Sequence, residues 1–274
     1  MQWAAIFHKH DIRFISGVDR LKFFNGGLNA AVADTRMWSG QMAGIADTNK
    51  AIVYDRRGFG KTRCEQEDYS SVADLMALLD VLGDGKPAVL VGCSQGGRIA
   101  LDAALEHPSR VSGLVLIAPN VPGAPEPDNP PEIAQRLARQ QDALDAGDIA
   151  SVNAIKAHLW LDGPLMAEGR VSGKARDLLL DMNSIVLEAP PAGTDLDVTG
   201  IAPAFDRLAK IQVPSLMVWG DRDFPHIMER CRLVADRMKN CASLGLAGSA
   251  HLPSLDQPDE VTAALVKFVP RCAD

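Results

Sequence analysis

The sequence predicts an α/β protein: a mostly parallel central sheet with helices on both faces and a helical cap inserted after the sixth strand. Three observations predict it. Short apolar runs alternate with helical patterns along most of the chain, as parallel strands joined by crossover helices require. One strand-to-helix junction, Leu90-Val91-Gly92-Cys93-Ser94-Gln95-Gly96-Gly97, reverses too tightly for side chains at its glycines. Six prolines between Pro119 and Pro131 then interrupt the alternation, and only helical patterns follow as far as Pro191.

The elements follow in order. Residues 3–7 and 11–16 are short and β-rich, with a polar break between them. Leu21 to Phe24 reads as a buried strand running into Asn25-Gly26-Gly27-Leu28, and a helix begins near Met37-Trp38. Ala51 to Tyr54 is the next strand. Val72, Leu75, Met76, Leu79 and Leu82 recur at helical spacing, with Ser70 or Ser71 as the cap. Ala88 to Val91 is the strand before the tight turn, Arg98 to Glu106 the helix after it, and Leu114 to Ala118 the sixth strand. Helical patterns over Pro131 to Ala146, Asp148 to Leu161 and Gly173 to Glu188 form the cap, residues 122–194. The core is then 1–121 with 195–274. Pro214 to Trp219 and Ser243 to Leu246 are the last strands. Ile227 to Met238 and Pro258 to Phe268 are helices, the latter with an acidic start that suits the helix dipole.

Composition narrows the function. A chain of 274 residues suits one large domain with an insertion, or two small ones, and 47% apolar residues give it an ordinary core. The net charge is −7 and no basic cluster is longer than Arg56-Arg57, which argues against nucleic acid and anionic membranes as partners. Five cysteines without a regular framework suggest reduced thiols in a cytoplasmic protein. The N-terminus has no signal-peptide pattern, and no apolar run is long enough to cross a bilayer. Oligomeric state is not readable. His8 and His10 alternate as a metal pair would, but no third ligand is near, so no metal is expected. Arg56 and Arg57 admit a phosphate-clamp reading; pairing with nearby carboxylates is the simpler one.

The tight turn is a Gly-x-Ser-x-Gly pattern between strand and helix. It leaves Ser94 at an apex in a strained backbone, with the next helix aiming free N–H groups at the same spot. Asp223, in Gly220-Asp221-Arg222-Asp223-Phe224-Pro225, and His251, in Gly248-Ser249-Ala250-His251-Leu252-Pro253, also fall on loops after predicted strands. Serine, acid and histidine thus follow in the order Ser94, Asp223, His251.

On these stretches, and on Tyr54-Asp55-Arg56-Arg57-Gly58-Phe59-Gly60, the sequence resembles the α/β-hydrolase superfamily over nearly its whole length. Leu159-Trp160-Leu161-Asp162-Gly163-Pro164 is similar to stretches in capped members such as 3-oxoadipate enol-lactonases and small esterases. The resemblance implies a serine hydrolase acting on a small-molecule carboxylic ester or lactone, with no cofactor. Ser94 would be the nucleophile, His251 the base and Asp223 the acid that orients it. The oxyanion hole would be the N–H groups of Gln95 and Gly27, with Asn25 where a histidine is usual and a longer loop to Trp38. Leu28, Trp160, Phe224 and Leu252 are candidate pocket walls.

Rivals stand beside these readings. Asp221 is the alternative acid, although the resemblance puts the acid fourth in Gly-x-x-Asp. His107, His158 and His226 read as surface or helix-end residues, with His158 a candidate for substrate contact. Cys93 reads as a buried, inert thiol. A serine rather than an aspartate at the turn argues against haloalkane dehalogenases and epoxide hydrolases. Hydrolysis of a C–C bond, perhydrolysis, or a ligand receptor on the same scaffold remain alternatives.

Overall fold

Alternation along the strands decides which side of the sheet each residue serves. A computed structural model describes residues 5–8, 11–14, 27–46, 49–83, 85–198 and 203–272. Ala5–His8 (β1) and Asp11–Phe14 (β2) pair antiparallel. Gly27–Leu28 (β3) opens the main sheet, while Arg63–Cys64 (β4) joins β1 in parallel. Ala88–Cys93 (β5), Val111–Ile117 (β6), Ser215–Gly220 (β7) and Cys241–Leu246 (β8) complete five parallel strands in the order β3-β5-β6-β7-β8.

Helices cover both faces. Leu90, Leu114, Leu116, Met217 and Trp219 point to one side, in a cluster with residues of Ser71–Leu82 (α2), Gln95–Glu106 (α3) and Pro225–Arg237 (α8). Their neighbours Val89, Val91, Val115, Ile117, Leu216 and Val218 point to the other, against Ser39–Ile45 (α1) and Pro258–Phe268 (α10). This period-two split is why the strands read as continuous apolar runs. Each fully buried leucine or valine contributes about 1.5–3 kcal/mol. Ser70 caps α2 through its hydroxyl, which accepts from the Ala73 N–H at 2.9 Å.

Between β6 and β7 lie Pro131–Asp145 (α4), Ile149–Ala157 (α5) and Lys174–Glu188 (α6), packed in succession. The short helix Ala204–Arg207 (α7) precedes β7, and Pro253–Asp256 (α9) lies between β8 and α10. The helix expected from Asp148 to Leu161 instead widens after Ala157 into a π-turn, His158–Asp162. Asp162, fully buried, fixes that turn by accepting from the N–H groups of Gly169 and Val171 and from Arg176.

At the N-terminal side one expectation changes and others fall outside the described residues. The strand expected at Leu21 to Phe24, with Asn25 and Gly26, lies outside the described residues, as does the His8–His10 side-chain pair. The described sheet strand is Gly27–Leu28, pairing with Val91 and Gly92. Ala51 to Tyr54 forms no strand, only a single bridge from Val53 to Gly27. Among the described residues no helix is long and apolar enough to cross a membrane.

Candidate active site

The turn closing β5 is built around Ser94. Its backbone has φ 52° and ψ −113°, a region that costs an L residue of order 1–3 kcal/mol. The surroundings over-determine it. The Ser94 N–H donates to the Ile117 carbonyl at 2.9 Å, and its own carbonyl accepts from the N–H groups of Asn120 at 2.9 Å and Arg98 at 3.2 Å. A Cβ on Gly92 would strike the Gly96 backbone, and one on Gly96 would strike the Leu28 carbonyl. The Gly-x-Ser-x-Gly spacing thus follows from a helix closing onto two strands. Gln95 is the first residue of α3, so its N–H has no acceptor within the helix.

Asp223 sits after β7 and His251 after β8, both buried. Nδ1 of His251 lies 2.8 Å from Oδ2 of Asp223, while Oδ1 accepts from the Phe224 N–H at 2.7 Å. A carboxylate only accepts, so Nδ1 carries the proton and Nε2 is left as the basic nitrogen. The rival Asp221 is half exposed and accepts from the Gly248 N–H at 2.7 Å, which makes it a brace between the two loops. Among the described residues the Ser94 hydroxyl makes no hydrogen bond, but Ser94 and His251 line one cavity of about 450 Å³. Such contacts commonly tighten only when substrate arrives.

The π-turn reaches this pair. Trp160 lies with its ring centroid 4.6 Å from that of His251 and 4.8 Å from that of Phe224. Arg170 ties this region to the histidine loop. It donates to the Leu161 and Asp162 carbonyls on one side and to the Gly248 carbonyl and Asp256 on the other.

Gly27 does not serve the cavity. Its N–H donates to the Ile52 carbonyl at 2.9 Å, inside the sheet. The strand ends at Leu28, so the loop facing Ser94 begins at Asn29, not Asn25. Asn29 is fully buried; its side chain accepts from Trp38 Nε1 at 3.0 Å and donates to the Tyr54 carbonyl at 3.2 Å. Arg56 adds a bond to the Asn29 carbonyl. Ala31, two residues on, is the residue of this loop that lines the cavity beside Ser94 and Gln95.

Of the four candidate walls only Trp160 lines the cavity. Leu28 and Leu252 are fully buried in the two core layers, and Phe224 backs Trp160 from behind. Each sits beside a cavity element but points inward. Sequence reasoning missed Ala31, Arg98, Ala118, Asn120, Ile227 and Arg230 as cavity residues, and read His226 as a solvated or helix-start residue. The four-residue spacing of His226 and Arg230, straight after the acid's loop, was the available signal. His226 is half-buried, and burial beside Arg230 lowers its pKa to about 4.

The remaining candidates are structural. His158 is buried and its Nε2 bonds the Met166 carbonyl at 2.9 Å. Arg57 pairs with Asp74 and Glu67, and Arg56 stacks on Phe59, so neither forms a phosphate clamp. Burial pushes the Cys93 thiol far above its ordinary value, which makes it inert. His107 is the exposed C-cap of α3. Among the described residues no group of three or more His, Cys, Asp or Glu is placed to hold a metal ion.

Residues 23–264 match the sequence profile of the alpha/beta hydrolase family. The chain belongs to the alpha/beta hydrolase family. It is 24% identical over 266 residues to a pimeloyl-[acyl-carrier protein] methyl ester esterase of Aeromonas hydrophila, covering 94% of this chain and 97% of that one. Among solved structures, an esterase from Thermogutta terrifontis superposes with a TM-score of 0.71 at 23% identity, over 90% and 89% of the two chains. An N-acyl homoserine lactone degrading enzyme gives a TM-score of 0.63 at 25% identity, over 88% and 91%. The expected enzyme class, a hydrolase of the alpha/beta hydrolase family, agrees with these relatives.

Proposed function

We propose that this alpha/beta hydrolase cleaves a small carboxylic ester or lactone through an acyl-serine. The observation that carries the reading is a strained serine sharing one cavity with a histidine whose Nδ1 is held by a buried aspartate. Nε2 of His251 takes the Ser94 proton as the oxygen attacks the carbonyl carbon. The same proton then goes to the leaving alkoxide. Water repeats the attack on the acyl-enzyme and releases the acid. Asp223 holds the imidazole and stabilises its charged form. The oxyanion is met by the N–H groups of Gln95 and Ala31, the latter in place of Gly27; one such donor contributes ~3 kcal/mol in the transition state.

In this reading residues 122–194 form a cap over a core of 1–121 and 195–274, and the cap supplies Trp160 to the cavity wall. Five unpaired cysteines fit a cytoplasmic location. A fluorophosphonate probe is expected to label Ser94, with no labelling of Ser94→Ala. Equal labelling of both proteins refutes the nucleophile. Esters and lactones of graded size, run against the Ser94→Ala control, then define the acyl group.

A further inference from the structure

The cavity wall opposite in chemistry to the serine is formed by α8. His226, Ile227 and Arg230 all line it, and residues 226 and 230 are one helical turn apart on the same face. Arg230 is half-buried, yet its Nε is buried with no hydrogen-bond partner, and among the described residues no carboxylate lies within ion-pair distance. Asp223 and Glu126 act on it only at a distance. Nδ1 of His226 is likewise buried and unpartnered. Arg56 and Arg207 also have an unpartnered buried Nε, but three other arginines differ. Arg98, which also lines the cavity, is paired with Asp102 and Asp195; Arg170 and Arg176 have Asp256 and Asp162.

A guanidinium left partly desolvated and unpaired is costly, and so is each buried donor without an acceptor. The cost of the unpaired charge is offset when an anion with two oxygens enters the cavity, since a carboxylate can meet the terminal nitrogens of the Arg230 guanidinium beside the His226 ring, both residues lining that wall. We infer that the substrate carries a free carboxylate besides its scissile ester or lactone, and that Arg230 with His226 binds it. The inference rests on the hydrolase reading above and adds the substrate class: half-esters of dicarboxylic acids, or lactones bearing an acid group.

The test compares 4-nitrophenyl hydrogen glutarate with 4-nitrophenyl methyl glutarate, which differ only in whether the distal carboxylate is capped. Wild-type kcat/KM is expected to favour the free acid by at least ~10-fold, the range of one charged hydrogen bond. Arg230→Gln is expected to bring the ratio close to one, and Arg230→Lys to restore part of it. A wild-type ratio at or below one overturns the inference, as does a ratio unchanged in Arg230→Gln. Should that variant fail to fold, inhibition of the wild type decides: glutarate must bind at least ~10-fold tighter than dimethyl glutarate, and equal inhibition overturns the inference. Turnover of neither ester while the fluorophosphonate still labels Ser94 sinks this inference alone. Absence of both turnover and labelling removes the hydrolase reading, and this one with it.

Discussion

Asp223 faces His251 across 2.8 Å with its other oxygen bound to the Phe224 N–H, so both lone-pair edges of the carboxylate are committed. Two residues away, Asp221 is half exposed; it accepts from the Gly248 N–H at 2.7 Å and pairs with Arg222 at 3.4 Å, and neither partner is His251. The geometry separates the two acids by consequence. Asp223→Asn presents an amide that can donate to Nδ1 and so favours the wrong tautomer; kcat is expected to fall by ~10³–10⁴-fold. Asp221→Asn keeps an acceptor for Gly248 and is expected to change kcat less than about threefold while lowering the melting temperature slightly. Steady-state rates on a 4-nitrophenyl ester measure both, and the reverse order reassigns the acid.

The strained backbone of Ser94 predicts a stability difference between two inactive variants. Ser94→Ala keeps a Cβ at φ 52°, whereas Ser94→Gly removes it. Glycine is at home there but loses more freedom on folding. Subtracting that cost from a strain of order 1–3 kcal/mol leaves Ser94→Gly the more stable by about 1 kcal/mol. Urea unfolding of the two proteins checks it; equal midpoints mean the elbow stores no strain.

His226 gives a pH dependence whose sign follows from its environment. The folded protein holds this imidazole at a pKa of about 4, below the ordinary 6.5, because burial and the charge of Arg230 disfavour the protonated ring. His251 faces it with the same effect, and Asp223 opposes them. The unfolded chain therefore takes up this proton first as the pH falls. Stability is expected to drop progressively from about pH 6.5 to about pH 4 and to gain no further loss from this group below that. In His226→Gln the drop over that window is expected to be shallower. Thermal melts of the two proteins at matched pH values measure the difference, and parallel curves refute the assignment.

Local turn chemistry made much of this legible. The elbow glycines are demanded by contacts that lie within a few residues of the turn or directly across it, so their spacing is visible in the chain. The two acids and His251 follow apolar strands whose ends are marked by Gly220 and Gly248. The loop after β3, which lines the cavity through Ala31, was less legible because β3 is only two residues long. Its register is set by Val91, Gly92 and the Ile52 carbonyl, all distant in sequence, so Asn25-Gly26-Gly27 and Asn29-Ala30-Ala31 compete as strand ends on local pattern alone. The glycine-richer of the two is the stronger local turn signal. Trp160 falls within the helix expected from Asp148 to Leu161, but the widening of that helix into a π-turn at His158–Asp162 is not legible in the sequence. The π-turn that aims the ring depends on Asp162 collecting donors from residues 169, 171 and 176, which periodicity does not encode.

The loop from Asn29, proposed above to supply the second oxyanion donor, carries the last prediction. The Gly27 N–H is bound to Ile52, and the loop from Asn29 is pinned by Trp38, Tyr54 and Arg56. That pinning leaves Ala31 on the cavity wall next to Gln95. A proline has no N–H to offer, so Ala31→Pro deletes one donor to the tetrahedral oxygen without touching Ser94, Asp223 or His251. The donor acts mainly on the transition state, so kcat is expected to fall by ~10²-fold or more, with KM changed far less. Ala31→Gly, which keeps the N–H, is expected to retain most of the activity and so controls for loss of the side chain. Circular dichroism melts establish that both variants are folded. A folded Ala31→Pro enzyme with wild-type kcat assigns the second donor to another backbone group.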